Sequence, residues 1–320
     1  MPAKLIWGIL GTGRIAGIFA RGIAASQSGQ LAAVGSRTQA SADRFAREFG
    51  VPRTHGSYAA LLEDRGVQAV YIGLPHPLHA EWAIRAARAG KHILCEKPLT
   101  MSHAEAVTVA GAAHDHGVLL MEAFMYRCHL QTAKIVELVS SGALGRVGLV
   151  QASFSFQRDF NPEVRLWSKA LGGGGILDVG CYPVSFARLI AGAADGRPFA
   201  DPVSVTGAGH LHPQAGVDVY AAATLGFANG VVAQVACGIG LVQDSSARVY
   251  GTEGWLHVPV PWVLGLDGGT SKIFLHRKGG AATEISSGAD ASPPCRKMTD
   301  VPPSRLGIQG TGTCSQPLLP

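Results

Sequence analysis

The feature that most constrains this chain is the alternation of short apolar runs with helical stretches over its first 122 residues. Lys4–Leu10 (KLIWGIL) is apolar and leads through Gly11-Thr12-Gly13 into a helical pattern that runs to Ala25. Gln30–Ser36, Ala69–Leu74, His92–Cys95 and Val118–Glu122 repeat the strand pattern, with helical periodicity up to Phe49, over His79–Ala89 and up to His116. Strands alternating with helices form right-handed βαβ crossovers, so this part predicts a parallel, Rossmann-type α/β sheet with helices on both faces. Such sheets bind ligands beyond the carboxyl ends of their strands, which makes the strand ends the residues to read first.

The rhythm changes after residue 123. A helix over Leu130–Ser140 precedes the alternating Val147–Phe156, and a glycine cluster at 172–175 opens another helix to Ala191. Then come Val203–His210, Val219–Phe227, Val231–Gly238, Ala247–Tyr250, Leu256–Val258 and Ile273–His276, all reading as strands. The expected organisation is a Rossmann domain over 1–123 and an α+β domain over 124–288 with a large, mainly antiparallel open sheet. Residues 289–320 carry six prolines and no periodicity, and are expected to form an irregular tail.

Composition narrows the partners. The charge of +5 is not gathered into any Lys/Arg run, which argues against nucleic acid and leaves room for an anionic cofactor. The six cysteines form no C-x-x-C pair, so reduced thiols in the cytoplasm are expected and a structural zinc is not. No charge separates Asp218 from Asp244, but Asn229-Gly230 divides that stretch into two alternating halves. This is a hairpin signal, so no membrane span is expected there, and the strand pattern starting at Lys4 leaves no room for a signal peptide. Val219, Ala221, Ala223, Leu225 and Phe227 share one face, while Tyr220, Ala222 and Thr224 make the other face poorly polar too. A sheet that is apolar on both faces asks for two covers, and the second is expected to be another copy of the chain, giving a homodimer through this sheet.

Gly11-Thr12-Gly13-Arg14-Ile15-Ala16 fits G-x-G-x-x-G/A after a strand and at a helix start, the context a dinucleotide site requires. Gly11 permits the tight turn, Gly13 lets the backbone approach a pyrophosphate, and Ala16 keeps helix and strand close. At the second strand end, Ser36 and Arg37 stand where an NAD site carries a carboxylate for the ribose 2′-hydroxyl. A hydroxyl and a cation suit a 2′-phosphate, so NADP is favoured, with NAD as the alternative. The next strand ends present Leu74-Pro75-His76-Pro77-Leu78-His79, Glu96-Lys97-Pro98, and Glu122 running on to Tyr126 and Arg127. Leu74, His76, His79, Glu96 and Lys97 are expected to line the cofactor site. His76 and His79 look like a metal pair, but no carboxylate or Cys completes a ligand set.

G-T-G-R-I-A, H-P-L-H, C-E-K-P and L-D-V-G-C-Y together resemble the glucose–fructose oxidoreductase/inositol dehydrogenase (Gfo/Idh/MocA) family. GSYAALLED and LMEAFMYR are most similar to its branch of dimeric dihydrodiol dehydrogenases and 1,5-anhydrofructose reductases. The resemblance spans roughly residues 5–260. It implies that Lys97 is the lysine that contacts nicotinamide and substrate, that the bond to Pro98 is cis, that Asp178 is the aspartate of the D-x-x-x-[HY] pattern and that Tyr182 is its catalytic member. It further implies a second domain whose sheet binds substrate and forms the dimer, and a closing C-terminal segment that residues 289–320 do not resemble, as if truncated or frame-shifted. Chemically these roles are coherent. Carbonyl reduction needs a hydride and a proton, Tyr182 is an acid with a free pKa of about 10, and a Lys97 ammonium would stabilise phenolate and oxyanion alike. The plain readings are a core tyrosine for Tyr182 and an N-cap for Asp178. Arg127, Arg165, Trp167 and Tyr126 are candidates for substrate contact. The expected activity is hydride transfer between NAD(P) and a polyol or carbonyl compound: a sugar, an anhydro-ketose or a cyclic diol or ketone. An NAD-dependent glycosidase and a non-catalytic dinucleotide sensor of the same fold are the rivals.

Overall fold

The structure is a computed structural model in which residues 4–263 and 272–286 are described. The expectation for 289–320 lies outside the described residues. The chain divides into two compact units, the first ending at Met125 and the second beginning at Tyr126.

The first unit holds six parallel strands, β1 (Leu5–Leu10), β2 (Gly29–Gly35), β3 (Arg53–His55), β4 (Ala69–Ile72), β5 (His92–Cys95) and β6 (Leu120–Glu122), in the order β3-β2-β1-β4-β5-β6. Between them run helices α1 (Arg14–Ala24), α2 (Gln39–Phe49), α3 (Tyr58–Glu63), α4 (His79–Arg88) and α5 (His103–Asp115). The order reverses between β1 and β4, which makes the carboxyl ends of those two strands the switch point where ligands bind. All four residues of β4 are buried, as a strand covered on both faces must be. Tyr71 of β4 stacks on Phe19 of α1 with ring centroids 3.9 Å apart, and Trp7 meets Phe19 edge-on at 5.4 Å. Sequence periodicity missed β3 and α3, which are three and six residues long and too short to show a period. Ser57 caps α3 by accepting the amide of Ala60 at 3.1 Å.

In the second unit, α6 (Leu130–Ser140) and α7 (Cys181–Ala193) accompany an eight-stranded sheet. Its strands are β7 (Val147–Ser155), β8 (Pro202–Leu211), β9 (Asp218–Phe227), β10 (Val232–Gly238), β11 (Ala247–Gly251), β12 (Gly254–Val258), β13 (Lys272–Arg277) and β14 (Thr283–Ser286). They lie in the order β14-β13-β12-β11-β7-β10-β9-β8, antiparallel throughout except for the parallel β7–β10 pair. The stretch without charge folds as the hairpin β9–β10, with Gly230 at φ 82° in its turn. Lys169–Ala193 is long and apolar enough to cross a membrane by length and composition, but 61% of an apolar 18-residue stretch within it is buried inside the protein. Helix α7 packs on β7 and β10, so Leu225, Phe227, Ala233 and Val235 are buried beneath the helical layer. The opposite face carries Tyr220, Ala222, Thr224, Val232 and Gln234, all exposed.

Candidate functional site

The first unit builds a cavity at its switch point. Strand β1 delivers the chain to Gly11 at φ 104°, where a Cβ would lie 2.8 Å from the Gly73 carbonyl oxygen, so the turn admits glycine alone. Nothing lies within 4 Å of a Cβ built on Gly13, and no side chain caps α1 there. Open space beside an uncapped helix N-terminus is what an incoming phosphate needs. The cavity, of about 570 Å³, is lined by Gly11, Thr12, Gly13, Ser36, Arg37, Thr38, Ser41, Arg44, Tyr58, Gly73, Leu74, Pro75 and Leu78. Thr12 Oγ1 and Ser36 Oγ approach at 3.4 Å, and Thr38 caps α2 by accepting the Ser41 amide. Arg14 and Ile15 open α1 outside this lining. Two guanidinium groups, three hydroxyl-bearing residues around α2 and, among the described residues, no carboxylate fit a phosphorylated ribose. Arg44 escaped the sequence reading because it sits mid-helix, away from the strand-end motif; its place two turns into α2 from Arg37 was the available signal.

Beside that cavity, three ties fix the loop that carries Lys97. Tyr71 donates its hydroxyl to Glu96 Oε1 at 2.6 Å. Glu122 Oε1, at the end of β6, accepts the Leu99 amide at 2.7 Å. His79 sets Nδ1 2.8 Å from the Pro98 carbonyl oxygen and Nε2 2.8 Å from that of Leu74. The Lys97–Pro98 bond is cis. Lys97 itself is partly exposed at the top of this braced loop. Burial raises the Glu96 carboxyl above the ordinary carboxylate range, against the lowering effects of the Tyr71 hydroxyl and the Lys97 charge. Glu96 therefore anchors the loop to the core through Tyr71. His79 is fully buried with both ring nitrogens on backbone carbonyls, so it braces the wall of the cavity. His76 is 6% exposed and its ring centroid lies 5.6 Å from that of His79.

In the second unit, Asp178 and Tyr182 straddle a change of winding. Ile176–Gly180 forms a π-helical turn and α7 begins at Cys181. Pro183 brings no amide to the helix, and a widened turn before it is a known accommodation that recurs at functional sites. Asp178 Oδ1 accepts from Arg165 Nη2 at 2.7 Å, so the structure unites these two sequence candidates as an ion pair. Tyr182 is 3% exposed and lies among Phe154, Tyr126 and Trp262, with ring centroids 5.2, 5.9 and 6.0 Å away. Tyr126 bonds Ser185 Oγ at 2.8 Å, and burial pushes its hydroxyl up to about 12. Trp167 donates to the Asp159 carbonyl, and the Arg127 guanidinium covers the Phe199 ring at 4.5 Å. Sequence reading missed Asp218. Its Oδ2 accepts the Ile176 amide at 2.6 Å, and its carboxylate fills the space beside Gly174 and Gly175 where side chains would collide. Gly174 and Gly175 thus leave room for this aspartate to cap the turn that carries Asp178. Its isolation at the edge of the uncharged stretch was the one hint.

The model of an oxidoreductase family with an NAD-binding Rossmann fold matches residues 5–124, and that of the GFO/IDH/MocA C-terminal domain matches residues 132–257. The chain is 41% identical to D-xylose 1-dehydrogenase (NADP(+)) 2 of Haloferax volcanii over 79% of its length and 75% of that protein's. It is 33% identical to mouse trans-1,2-dihydrobenzene-1,2-diol dehydrogenase, covering 81% of this chain and 75% of the relative. Among solved structures it is similar to KijD10, a 3-ketoreductase from Actinomadura kijaniata in complex with NADP and TDP-benzene. That match has a TM-score of 0.79 and 29% identity over 92% of this chain and 87% of the other.

Proposed function

Since the chain belongs to the Gfo/Idh/MocA oxidoreductase family, we propose that it is an NADP-dependent oxidoreductase acting on a sugar, an anhydro-ketose or a cyclic diol or ketone. The observation that carries this reading is the cavity at the β1 and β4 ends, with Arg37 and Arg44 in its lining and, among the described residues, no carboxylate. The bound nicotinamide supplies or accepts the hydride. The uncapped start of α1 would hold the pyrophosphate, and Ser36, Arg37 and Arg44 the 2′-phosphate. Lys97 would bind the reacting oxygen of the substrate and stabilise negative charge as it develops there. Tyr182 would give that oxygen its proton in reduction and take it back in oxidation. Asp178, braced by Arg165, would hold a substrate hydroxyl. KijD10 was also solved as a tyrosine-to-phenylalanine variant and as a lysine-to-alanine variant, the residue types proposed here.

Oxidation of NADPH against a panel of sugars, anhydro-ketoses and aromatic diols tests the activity; no turnover with any of them and no nucleotide binding would reject it. Cofactor choice has its own test. Arg37→Glu removes a cation from the cavity and adds a carboxylate. Charge-assisted bonds are worth about 1.5–3 kcal/mol, so kcat/KM with NADPH should fall roughly 10- to 100-fold while that with NADH holds or rises. A wild-type preference for NADH would overturn the NADP assignment.

The open face of the eight-stranded sheet supports a homodimer. Across it run small residues in register, Ala208 opposite Ala222 and Ala222 opposite Ala236, with Ser153 next in the row. Val232 and Tyr220 stand on the same face at 39% and 38% exposure. A flat face of small and apolar groups suits a second copy of itself related by a two-fold axis. Light scattering at micromolar concentration is expected to give twice the chain mass, and a single species at the chain mass would reject the dimer.

A further inference from the structure

The geometry points to Asp218 as a positioning residue, whose carboxylate clamps the register of the turn that presents Asp178 and Tyr182. The inference rests on the roles proposed above for those two residues and adds the group that aims them. Asp218 opens β9, 42 residues along the chain from Ile176, whose amide its Oδ2 accepts at 2.6 Å. The Gly175 amide also donates to the carboxylate. These amides lead the winding that runs through the π-turn into α7, and the first amides of a helix have no partners within it. A carboxylate there also meets the positive end of the helix dipole. A Cβ on Gly175 would stand 3.2 Å from Oδ2, and one on Gly174 would stand 3.1 Å from Cγ, so bare glycines let the carboxylate come this close.

The other side of the same glycine run holds Arg165. The Gly174 amide donates to the Leu166 carbonyl at 2.9 Å, and a Cβ on Gly173 would stand 2.8 Å from the Arg165 carbonyl oxygen. Arg165 in turn donates to Asp178 Oδ1 at 2.7 Å. A shift of the turn therefore moves Asp178 against its own partner. The far end of the turn is fixed as well, because Gly180 packs on Cys237 of β10, where a Cβ would stand 2.8 Å from Sγ. Winding is what a clamp at the near end controls. Hydrogen bonds close over five residues in a π-turn and over four in an α-helix, and each α-helical residue turns about 100°. Rewinding Ile176–Gly180 by one residue would swing Asp178 through an angle of that order relative to Tyr182. Burial raises the Asp218 carboxyl above the ordinary carboxylate range, against the amides that lower it. Its ionisation therefore costs the fold stability at neutral pH, so an uncharged isostere is not expected to melt earlier.

Two variants of the full chain test the clamp and its purpose separately. In Asp218→Ala the Ile176 amide loses a charge-assisted bond worth about 1.5–3 kcal/mol, so its hydrogen exchange should quicken roughly 10- to 100-fold. Unchanged exchange there would overturn the clamp. Asp218→Asn keeps the shape and one oxygen for Ile176 but sets an NH2 group against the Gly175 amide. It should lower kcat by up to about a hundredfold, the cost of roughly 1 Å of misplacement, and raise the KM for substrate. The Kd for NADPH, whose proposed contacts lie in the first unit, and the Tm should stay at their wild-type values. A wild-type kcat, or a loss of rate that matches a loss of folded protein, would overturn the positioning role. Should either variant not fold, Gly175→Ala leaves Asp218 in place and sets a methyl group against its carboxylate. It should show faster Ile176 exchange and lower kcat together, and wild-type values of both would overturn the proposal. If Tyr182→Phe keeps its turnover, the functional reading fails instead, while the Ile176 amide still decides the clamp.

Discussion

Lys97→Met is expected to lower kcat by about three orders of magnitude while leaving NADPH binding close to the wild-type value. Removing an electrostatic stabiliser of a developing oxyanion costs about 10²–10³ in rate, and losing its support for proton transfer adds to that. The substitution is structurally mild. Methionine keeps most of the unbranched stem, and the loop is held by bonds that do not involve the lysine ammonium: Tyr71 to Glu96, the Leu99 amide to Glu122, and His79 to Pro98. The 2′-phosphate and pyrophosphate contacts proposed above lie on other residues, so fluorescence titration with NADPH separates binding from chemistry. Near-normal turnover with intact binding would remove Lys97 from the mechanism. Loss of both together would show instead that the loop had shifted, and the persistence of the three ties could then be checked by crystallography of the variant.

Much of the fold was legible because it is written in periods. The five strands of the first unit that were read from apolar runs are present, and α6 occupies the residues its periodicity indicated, Leu130–Ser140. What stayed hidden was short or non-local. Strand β3 has three residues and β14 four, lengths at which alternation and chance look alike. The parallel pairing of β7 with β10 joins segments more than eighty residues apart, and neither strand carries a mark of its partner's direction. The candidate site divides in the same way. Gly11, Gly13, Ser36 and Arg37 were readable because the backbone geometry of a phosphate turn dictates residue type at fixed spacing. Arg44 and Asp218 were not, since their roles depend on which helix face or strand end is brought alongside. His79 shows a third case: its residue type was noticed, but only the fold reveals that both nitrogens are already taken by carbonyls.

Tyr182→Phe should reduce kcat by about 10²–10⁴, the range for loss of a general acid, with the fold retained. Tyr126→Phe, the matched control, should leave kcat nearly unchanged and lower stability by about 1 kcal/mol through loss of one hydrogen bond. The two tyrosines have ring centroids 5.9 Å apart in one aromatic cluster, so the comparison isolates the hydroxyl rather than the ring. Their surroundings separate them. Tyr126 is 1% exposed, its hydroxyl is engaged by Ser185, and burial pushes its pKa up to about 12, which makes it a poor proton donor near neutral pH. Tyr182 comes four residues after Asp178 across the π-turn that Asp218 caps, so its backbone is placed by the same elements that place the Asp178–Arg165 pair. Phenylalanine at 182 keeps the ring contacts with Phe154 and Trp262, and an unchanged melting temperature would show that packing survived. The pH profile adds a readout that packing cannot mimic: the wild-type rate should carry an ionisation that disappears in Tyr182→Phe and persists in Tyr126→Phe. Should the outcomes be exchanged, with Tyr126→Phe inactive and Tyr182→Phe active, the proton donor is Tyr126, and Ser185 becomes the group that tunes it.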